Sequence, residues 1–243
     1  MSIVVVENLV KVFEGFPALR GVSFAVEEGE VFGLIGPNGA GKTTTFRILA
    51  TLLLPTSGRV EICGLDVVRR AAEVRRLVSY LPEEAGTYRN LTGYEYLKMM
   101  AEVYFGSGRE AEEALELGLK LAGLGDRVYD KMKTYSRGMK RRIQVARALM
   151  VRPRVAVLDE PTTGLDVIHS NAIRRVIREY ARKWGVTVLL SSHNMSEVEG
   201  VCDRIAVIHR GRILACGTPD ELREEHGGVS LEEVLIKLVG EGA

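Results

Sequence analysis

A glycine-rich loop that follows a short apolar run limits the possible folds of this chain more than any other feature. Residues 36–43 read Gly-Pro-Asn-Gly-Ala-Gly-Lys-Thr, which matches the Walker A or phosphate-loop pattern G-x-x-x-x-G-K-[ST] in full. The apolar run Val31–Ile35 precedes the loop, and an apolar-faced segment, residues 44–53, follows it. The glycines let the backbone N–H groups point inward at a phosphate chain, and the helix adds its positive dipole end. The loop therefore predicts an α/β fold that binds phosphates.

Two pairs of residues supply the chemistry that such a fold needs. Lys42 can reach the β- and γ-phosphates of a nucleotide, and the Thr43 hydroxyl can ligate Mg²⁺. Downstream, the apolar run Val155–Leu158 ends in Asp159 and Glu160, at the strand end where ligands bind in open α/β sheets. Phosphoryl transfer requires a carboxylate for Mg²⁺ and a group that orients or deprotonates the nucleophile. Asp159 suits the first role and Glu160 the second.

Apolar runs without charges indicate strands that are buried on both faces, as in a parallel sheet. A helical pattern over residues 173–184, ended by Gly185, connects two of these runs in a βαβ crossover. Residues 3–12 and 21–26 look instead like antiparallel strands. The expected parallel strands are residues 31–35, 155–158, 186–190 and 205–208.

The middle of the chain reads as helical. Thr92 and Glu95 form a capping-box pattern, and further helices fit residues 109–121 and 136–150. Near the end, Thr218-Pro219 starts one helix and Ser230 with Glu233 caps another. We therefore expect a single domain in which residues 1–84 and 151–217 form an α/β core with a β layer, residues 85–150 an inserted helical subdomain, and residues 218–243 C-terminal helices.

Composition excludes several other classes of protein. Lys plus Arg number 33 and Asp plus Glu 32, a net charge of +1, so a general nucleic-acid-coating surface is not expected. The longest stretch without these residues, 184–196, is shorter than the roughly 18 residues of a membrane-spanning helix. The N-terminus lacks a signal-peptide pattern, and the three cysteines have no metal-ligand spacing. We expect a cytoplasmic location.

Further motifs in a fixed order make the chain resemble the ATP-binding subunits of ATP-binding cassette (ABC) transporters, from Val4 to about Leu222. In that comparison, residues 79–84 look like the Q-loop and 135–139 like the signature motif. The pair Asp159 and Glu160 matches the Walker B motif. Residues 163–166 look like the D-loop and 191–193 like the switch-histidine loop. The fold implied is a P-loop NTPase core with a mainly parallel sheet, an N-terminal antiparallel β layer and an inserted helical subdomain.

The resemblance also implies roles for individual residues. Glu160 and His193 would be catalytic, and Phe13 would stack on adenine. Mg²⁺ would be held by Thr43, Glu83 and Asp159. The residues expected to bind ATP are Phe13, Gly36, Pro37, Asn38, Gly39, Ala40, Gly41, Lys42, Thr43, Thr44, Ser136, Gly138 and Asp166.

Family resemblance predicts partners as well. The signature residues Ser136 and Gly138 of one subunit would close on the ATP held by a second ATP-binding subunit, the same chain or a different one. ATP-driven closure of this head-to-tail dimer would drive transport through separate integral membrane permease subunits. The chain would then lie on the inner face of the cell membrane, and no nucleic-acid partner is expected.

Departures from the family pattern leave alternatives open. Glu83 stands where the family usually has Gln, as in the branch that resembles drug and multisubstrate exporters, which favours export. Tyr135, Arg137 and Met139 make the signature loose. Arg137 either contacts phosphate in the partner's site or points to solvent. Taken alone, residues 136–142 also fit a capped helix with a solvated basic face.

Two other functions compete with transport. A soluble ABC-type ATPase that acts on DNA or ribosomes would usually carry two cassettes, a coiled-coil insertion or zinc-binding cysteines, none of which is evident in the sequence. A module that holds ATP without hydrolysing it is disfavoured by the intact set Lys42, Asp159, Glu160 and His193.

Overall fold

The computed structural model describes residues 1–228 and 230–241. Residues 229, 242 and 243 of the predicted C-terminal segment 218–243 lie outside the described residues. The strands are β1 Ser2–Phe13, β2 Phe16–Glu27, β3 Val31–Ile35, β4 Ser57–Ile62, β5 Leu65–Asp66, β6 Val78–Leu81, β7 Val155–Leu158, β8 Thr187–Ser192, β9 Arg204–His209 and β10 Arg212–Gly217. The helices are α1 Lys42–Leu49, α2 Ala71–Leu77, α3 Gly93–Phe105, α4 Arg109–Ala122, α5 Arg137–Leu149, α6 Val167–Trp184, α7 Met195–Glu199, α8 Pro219–His226 and α9 Leu231–Glu241.

Six strands form the sheet that carries the predicted site. Their order is β10-β9-β3-β8-β7-β6, and all neighbours are parallel except β10, which runs antiparallel to β9. The other four strands form an antiparallel sheet in the order β2-β1-β4-β5. These sheets confirm the predicted α/β fold with a mainly parallel sheet and an N-terminal antiparallel layer.

Alternate side chains of β3 enter two different cores, which explains its unbroken apolar sequence. Val31 and Ile35 pack in the core that contains the buried face of α6. Phe32 and Leu34 pack on the other side, against the antiparallel sheet and α1, where Phe32 stacks on Phe24 with ring centroids 5.3 Å apart. β3 is therefore fixed on both faces, and the loop that leaves its C-terminal end has a rigid base.

The helices α3, α4 and α5 are inserted between β6 and β7, as predicted. Thr92 caps α3 in a capping box with Glu95, and α8 begins with a capping box at Thr218. Ser230 accepts a hydrogen bond from the Glu233 backbone, 3.3 Å. The bounds 85–150 for a separate subdomain remain a prediction.

The helix α5 belongs to two cores at once. Val145 and Leu149 pack with the parallel sheet, whereas Ile143 and Ala146 pack inside the helical block. Movement of the helical block relative to the sheet would thus involve this helix directly.

Three predicted boundaries were wrong by a few residues. The strand expected at 21–26 begins earlier, at Phe16, and is Phe16–Glu27. The strand expected at 186–190 is Thr187–Ser192, because the serine side chains at its end are buried and extend the sheet. The helix expected at 173–184 begins earlier, at Val167, where Asp166 caps it. Among residues 1–228 and 230–241, no helix is both long and apolar enough to cross a bilayer.

Candidate functional site

The loop of residues 36–41 leads from β3 directly into α1. The helix has Gly41 as its N-cap, with φ 113°, no side-chain cap and no acidic residue in its first turn. A backbone with this positive φ favours glycine. Because no carboxylate of the first turn neutralises the helix N-terminus, its partial positive charge is available to an anion.

Gly36 is required by a close backbone approach. A Cβ atom at Gly36 would meet the Ile208 carbonyl oxygen at 2.0 Å. We expect Gly36→Ala to lower the free energy of unfolding by about 1–3 kcal/mol, because the backbone of β9 would have to move. Gly200→Ala is the matched control, since Gly200 has φ −82° and open space around its Cα. Urea unfolding of both variants tests this, and equal stability would contradict it.

A cavity of about 400 Å³ opens over the loop. Nine of the predicted site residues line it, whereas Phe13, Ser136 and Gly138 are not among its lining residues. The lining consists of Phe16, Ala18, Asn38, Gly39, Ala40, Gly41, Lys42, Thr43, Thr44, Glu83 and Glu160.

Lys42 is buried and lies at the centre of the site. Its Nζ donates to the carbonyl oxygens of Gly36 at 2.7 Å and Pro37 at 3.2 Å. The same Nζ lies 3.4 Å from Oε1 of Glu160, with both side chains almost fully buried. That Oε1 atom accepts no hydrogen bond from the described residues. A buried carboxylate oxygen without a hydrogen bond is costly, so a donor in this cavity, such as water or a bound ligand, would bind there favourably.

The other oxygen of Glu160 is held in place. Oε2 accepts a hydrogen bond from the Thr163 hydroxyl at 2.8 Å and lies 3.0 Å from Nδ1 of His193. Burial raises the pKa of Glu160, but the hydrogen bonds from Thr163 and His193 and the charge of Lys42 outweigh it, so the pKa is lower than usual. Glu160 is therefore a carboxylate at neutral pH and can accept a proton.

Asp159 is fully buried and is oriented by its neighbours. Its Oδ1 accepts a hydrogen bond from the Ser191 hydroxyl at 2.6 Å, and Oδ2 lies 3.4 Å from the Tyr80 hydroxyl. Ser191 in turn accepts a hydrogen bond from the Glu160 N–H at 2.8 Å. One serine hydroxyl thus fixes both acidic residues at the end of β7.

The predicted signature residues lie at the start of α5. Ser136 is the N-cap and accepts a hydrogen bond from the Met139 N–H at 3.2 Å. A Cβ at Gly138 would meet the His169 ring at 2.6 Å, and His169 Nδ1 lies 2.7 Å from Oδ2 of Asp166. In this chain the signature therefore packs beside the predicted D-loop residue Asp166, which caps α6.

Arg137 lies beside the predicted D-loop, and a contact with phosphate in the partner's site remains a prediction. Its side chain is exposed, yet its guanidinium lies against Gly164, where a Cβ would meet Cζ at 2.2 Å. The arginine at this position therefore contacts the D-loop of its own chain.

Phe16 and Ala18 line the cavity although the sequence analysis missed them. Phe13 pairs with Phe16 across the β1–β2 hairpin, and the connecting residues Glu14 and Gly15 both have positive φ, 44° and 86°. This is the geometry of a two-residue type I′ turn. The dipeptide Glu-Gly between two apolar runs is the signal that could have placed a second aromatic ring beside Phe13.

Comparisons with known proteins agree with this geometry. Residues 19–163 match the family model described as ABC transporter. The chain is 35% identical over 235 residues to the linearmycin resistance ATP-binding protein LnrL of Bacillus subtilis (strain 168), covering 97% of this chain and 75% of that protein. It is 42% identical over 221 residues to the daunorubicin/doxorubicin resistance ATP-binding protein DrrA of Streptomyces peucetius, and this match covers 90% of this chain and 66% of that protein.

A solved structure of an ATP-binding subunit of an ABC transporter resembles the whole fold. The TM-score is 0.85 at 32% sequence identity, and the match covers 98% of this chain and 99% of that chain. The two chains therefore share the same overall fold along almost their entire lengths.

Proposed function

This chain belongs to the ABC transporter family, and we propose that it is the ATP-hydrolysing subunit of an exporter in which two such subunits share their nucleotide sites. ATP binding and hydrolysis coupled to transport follow from membership of the family. The similarity to resistance ATP-binding proteins supports export and not the alternative of an ATPase that acts on DNA or ribosomes. The presence of Glu83 in place of Gln supports the same branch.

One observation carries the proposal: Lys42 and Glu160 line the same cavity and are in contact there, with Nζ and Oε1 3.4 Å apart. Their charges compensate each other across this contact. We propose that the phosphates of ATP replace Glu160 as the partner of the Lys42 ammonium group. The Glu160 carboxylate can then accept a proton from water. The water oxygen then attacks the γ-phosphorus in line, and the bond to the β–γ bridging oxygen breaks. His193, which contacts Glu160, would keep the carboxylate in position.

Mg²⁺ fits the oxygen donors of the site. Thr43 and Glu83 line the cavity, and Asp159 lies at the neighbouring strand end with its carboxylate held by Ser191. Hard cations prefer such hydroxyl and carboxylate oxygens. We propose that these three residues hold Mg²⁺, which would neutralise charge on the phosphates. Phe13 would stack on the adenine, as the family pattern implies, and Phe16 lies close enough in the hairpin to assist.

The predicted signature residues lie outside the nucleotide cavity of their own chain, as expected if two subunits share their nucleotide sites. Ser136 and Gly138 do not line the cavity of their own chain, and a helix N-terminus such as that of α5 can bind a phosphate group. Subunits of this family dimerise and work with membrane permeases. We propose a head-to-tail dimer on the inner face of the membrane, with each signature completing the partner's site.

A direct experiment is phosphate release by the purified chain with ATP, with and without Mg²⁺. We expect hydrolysis that EDTA abolishes and that added Mg²⁺ restores. When a tagged chain is expressed at its natural level in the organism that produces it, we expect it to sediment with the membranes. Urea without detergent should release it, as it releases other peripheral subunits. Hydrolysis by a chain that never sediments with membranes would contradict the proposed role in transport. Absence of ATP hydrolysis, both by the purified chain and by the membrane fraction, would contradict the proposed ATPase activity.

A further inference from the structure

A buried arginine joins the two acidic segments of the site. Arg141 on α5 is only 6% exposed, so the alternative of a solvated basic face for residues 136–142 is wrong at this position. Its guanidinium donates to five backbone carbonyl oxygens in two separate segments. These acceptors are Pro82 at 3.1 Å and Glu83 at 3.1 Å in the first segment, and Asp159 at 2.8 Å, Glu160 at 2.7 Å and Pro161 at 2.9 Å in the second.

The geometry of this side chain is specific to arginine. A guanidinium presents five N–H donors in a fixed planar fork, and burying its charge is unfavourable unless those donors are matched. Burial lowers the pKa of Arg141 to about 10, against the opposing effect of the carboxylates of Asp159, Glu83 and Glu160. The side chain remains charged at neutral pH, so its hydrogen bonds to the carbonyls are charge-assisted.

Gln144 extends the same contact one turn along α5. It lies within hydrogen-bond distance of Arg141 Nη1, 3.4 Å, and its Nε2 donates to the carbonyl of Ala85. Together the two side chains hold residues 82–85 and 159–161 against one helix.

Both segments carry acidic side chains of the cavity. Glu83 lines it from the first segment and Glu160 from the second. Glu160 has φ 47°, a left-handed conformation that a non-glycine residue adopts only when its surroundings impose it. The carbonyls of Asp159, Glu160 and Pro161 all bind one guanidinium, so Arg141 is among the groups that impose it.

The helix that bears Arg141 also begins at the signature. Ser136 is the N-cap of α5, little more than one helical turn away from Arg141. We propose that Arg141 is a positioning residue for hydrolysis, which makes Glu83 and Glu160 move with the signature helix when Ser136 engages nucleotide. This inference rests on the proposed function, because it assigns a step in the coupling between two shared sites.

Two variants of Arg141 and one control test the proposal. Arg141→Lys keeps the charge but cannot span both segments, and Arg141→Met removes the donors. Arg142→Met is the matched control, because Arg142 donates to the carbonyl of Gly123 at 2.7 Å, outside the cavity. We expect kcat of both Arg141 variants to fall about 10- to 100-fold. The KM for ATP and the affinity for a fluorescent ATP analogue should change little, while more Mg²⁺ is needed for half-maximal activity.

The outcomes separate positioning from a purely structural role. Wild-type kcat in Arg141→Lys would overturn the proposal, as would loss of activity in that variant together with loss of the folded state by circular dichroism. Equal losses of kcat in Arg141→Lys and Arg142→Met would also overturn it, since the effect would then belong to the helix in general. An inactive wild-type chain would refute the proposed function instead.

Discussion

Glu160→Gln should bind ATP as well as the wild type or better, yet hydrolyse it about 1000-fold more slowly, because a general base contributes roughly 100- to 10,000-fold to a rate. The amide has the same shape as the carboxylate and can keep the contacts with Thr163 and His193. It cannot accept a proton from water. It also removes the negative charge 3.4 Å from Lys42, which leaves the lysine free for phosphate.

The measurement combines single-turnover hydrolysis with gel filtration in ATP. If closure of the dimer requires ATP and opening requires hydrolysis, Glu160→Gln should accumulate as a dimer with ATP and elute as a monomer without it. Glu113→Gln is the control, since Glu113 lies on the surface of α4 in an ion pair with Arg109, 2.8 Å. Full hydrolysis by Glu160→Gln would refute the role of Glu160 as the base.

Local patterns in the sequence were sufficient for the parts of the fold that depend on neighbouring residues. The phosphate loop, the uncharged run of β3 and the capping box of Thr92 with Glu95 each consist of residues close together in the chain, so their spacing carries the information. The strand β4 was not predicted, because only Val60 and Ile62 are buried in it. Two apolar residues in alternation are too short a pattern to distinguish from a loop.

Contacts between distant parts of the chain could not be predicted in the same way. Ser191 reaches Asp159 across 32 residues, and Arg141 reaches Pro82 across 59. Nothing in the local pattern of α5 distinguishes Arg141, which is buried, from Arg142, which is half-buried. The strand pattern predicted Asp159 and Glu160, and the resemblance to the family added Glu83 and Asp166. The groups that orient Asp159 and Glu160 became evident only from the folded chain.

Lys42→Ala and Ser136→Arg should each lower the rate of hydrolysis about 1000-fold when tested alone. Lys42→Ala loses contacts with the phosphates, and the larger side chain of Ser136→Arg blocks the nucleotide held by the partner. Lys42 lines the cavity, whereas Ser136 does not, so the two changes damage different halves of a shared site. In a mixed dimer, one site keeps both wild-type halves and the other loses both.

Mixing the two inactive variants should therefore restore activity. With random exchange half of the dimers are mixed, and each contains one intact site of two, so recovery should approach about a quarter of the wild-type rate if the sites act independently. Phosphate release as a function of the mixing ratio measures this, and it should be greatest at equal amounts. Ser136→Arg also removes the cap of α5, so its folded state must be checked by thermal unfolding.

A mixture of Lys42→Ala with Glu160→Gln is the control, because both residues line the same cavity. Each mixed dimer then carries one defect in each of its two sites, so no intact site forms and no recovery is expected. Recovery in this control would mean that the halves of a site are divided differently between subunits. If neither mixture recovers while the wild type is active and each variant is folded, two copies of this chain do not complete each other's sites, and the proposed head-to-tail sharing of sites is refuted.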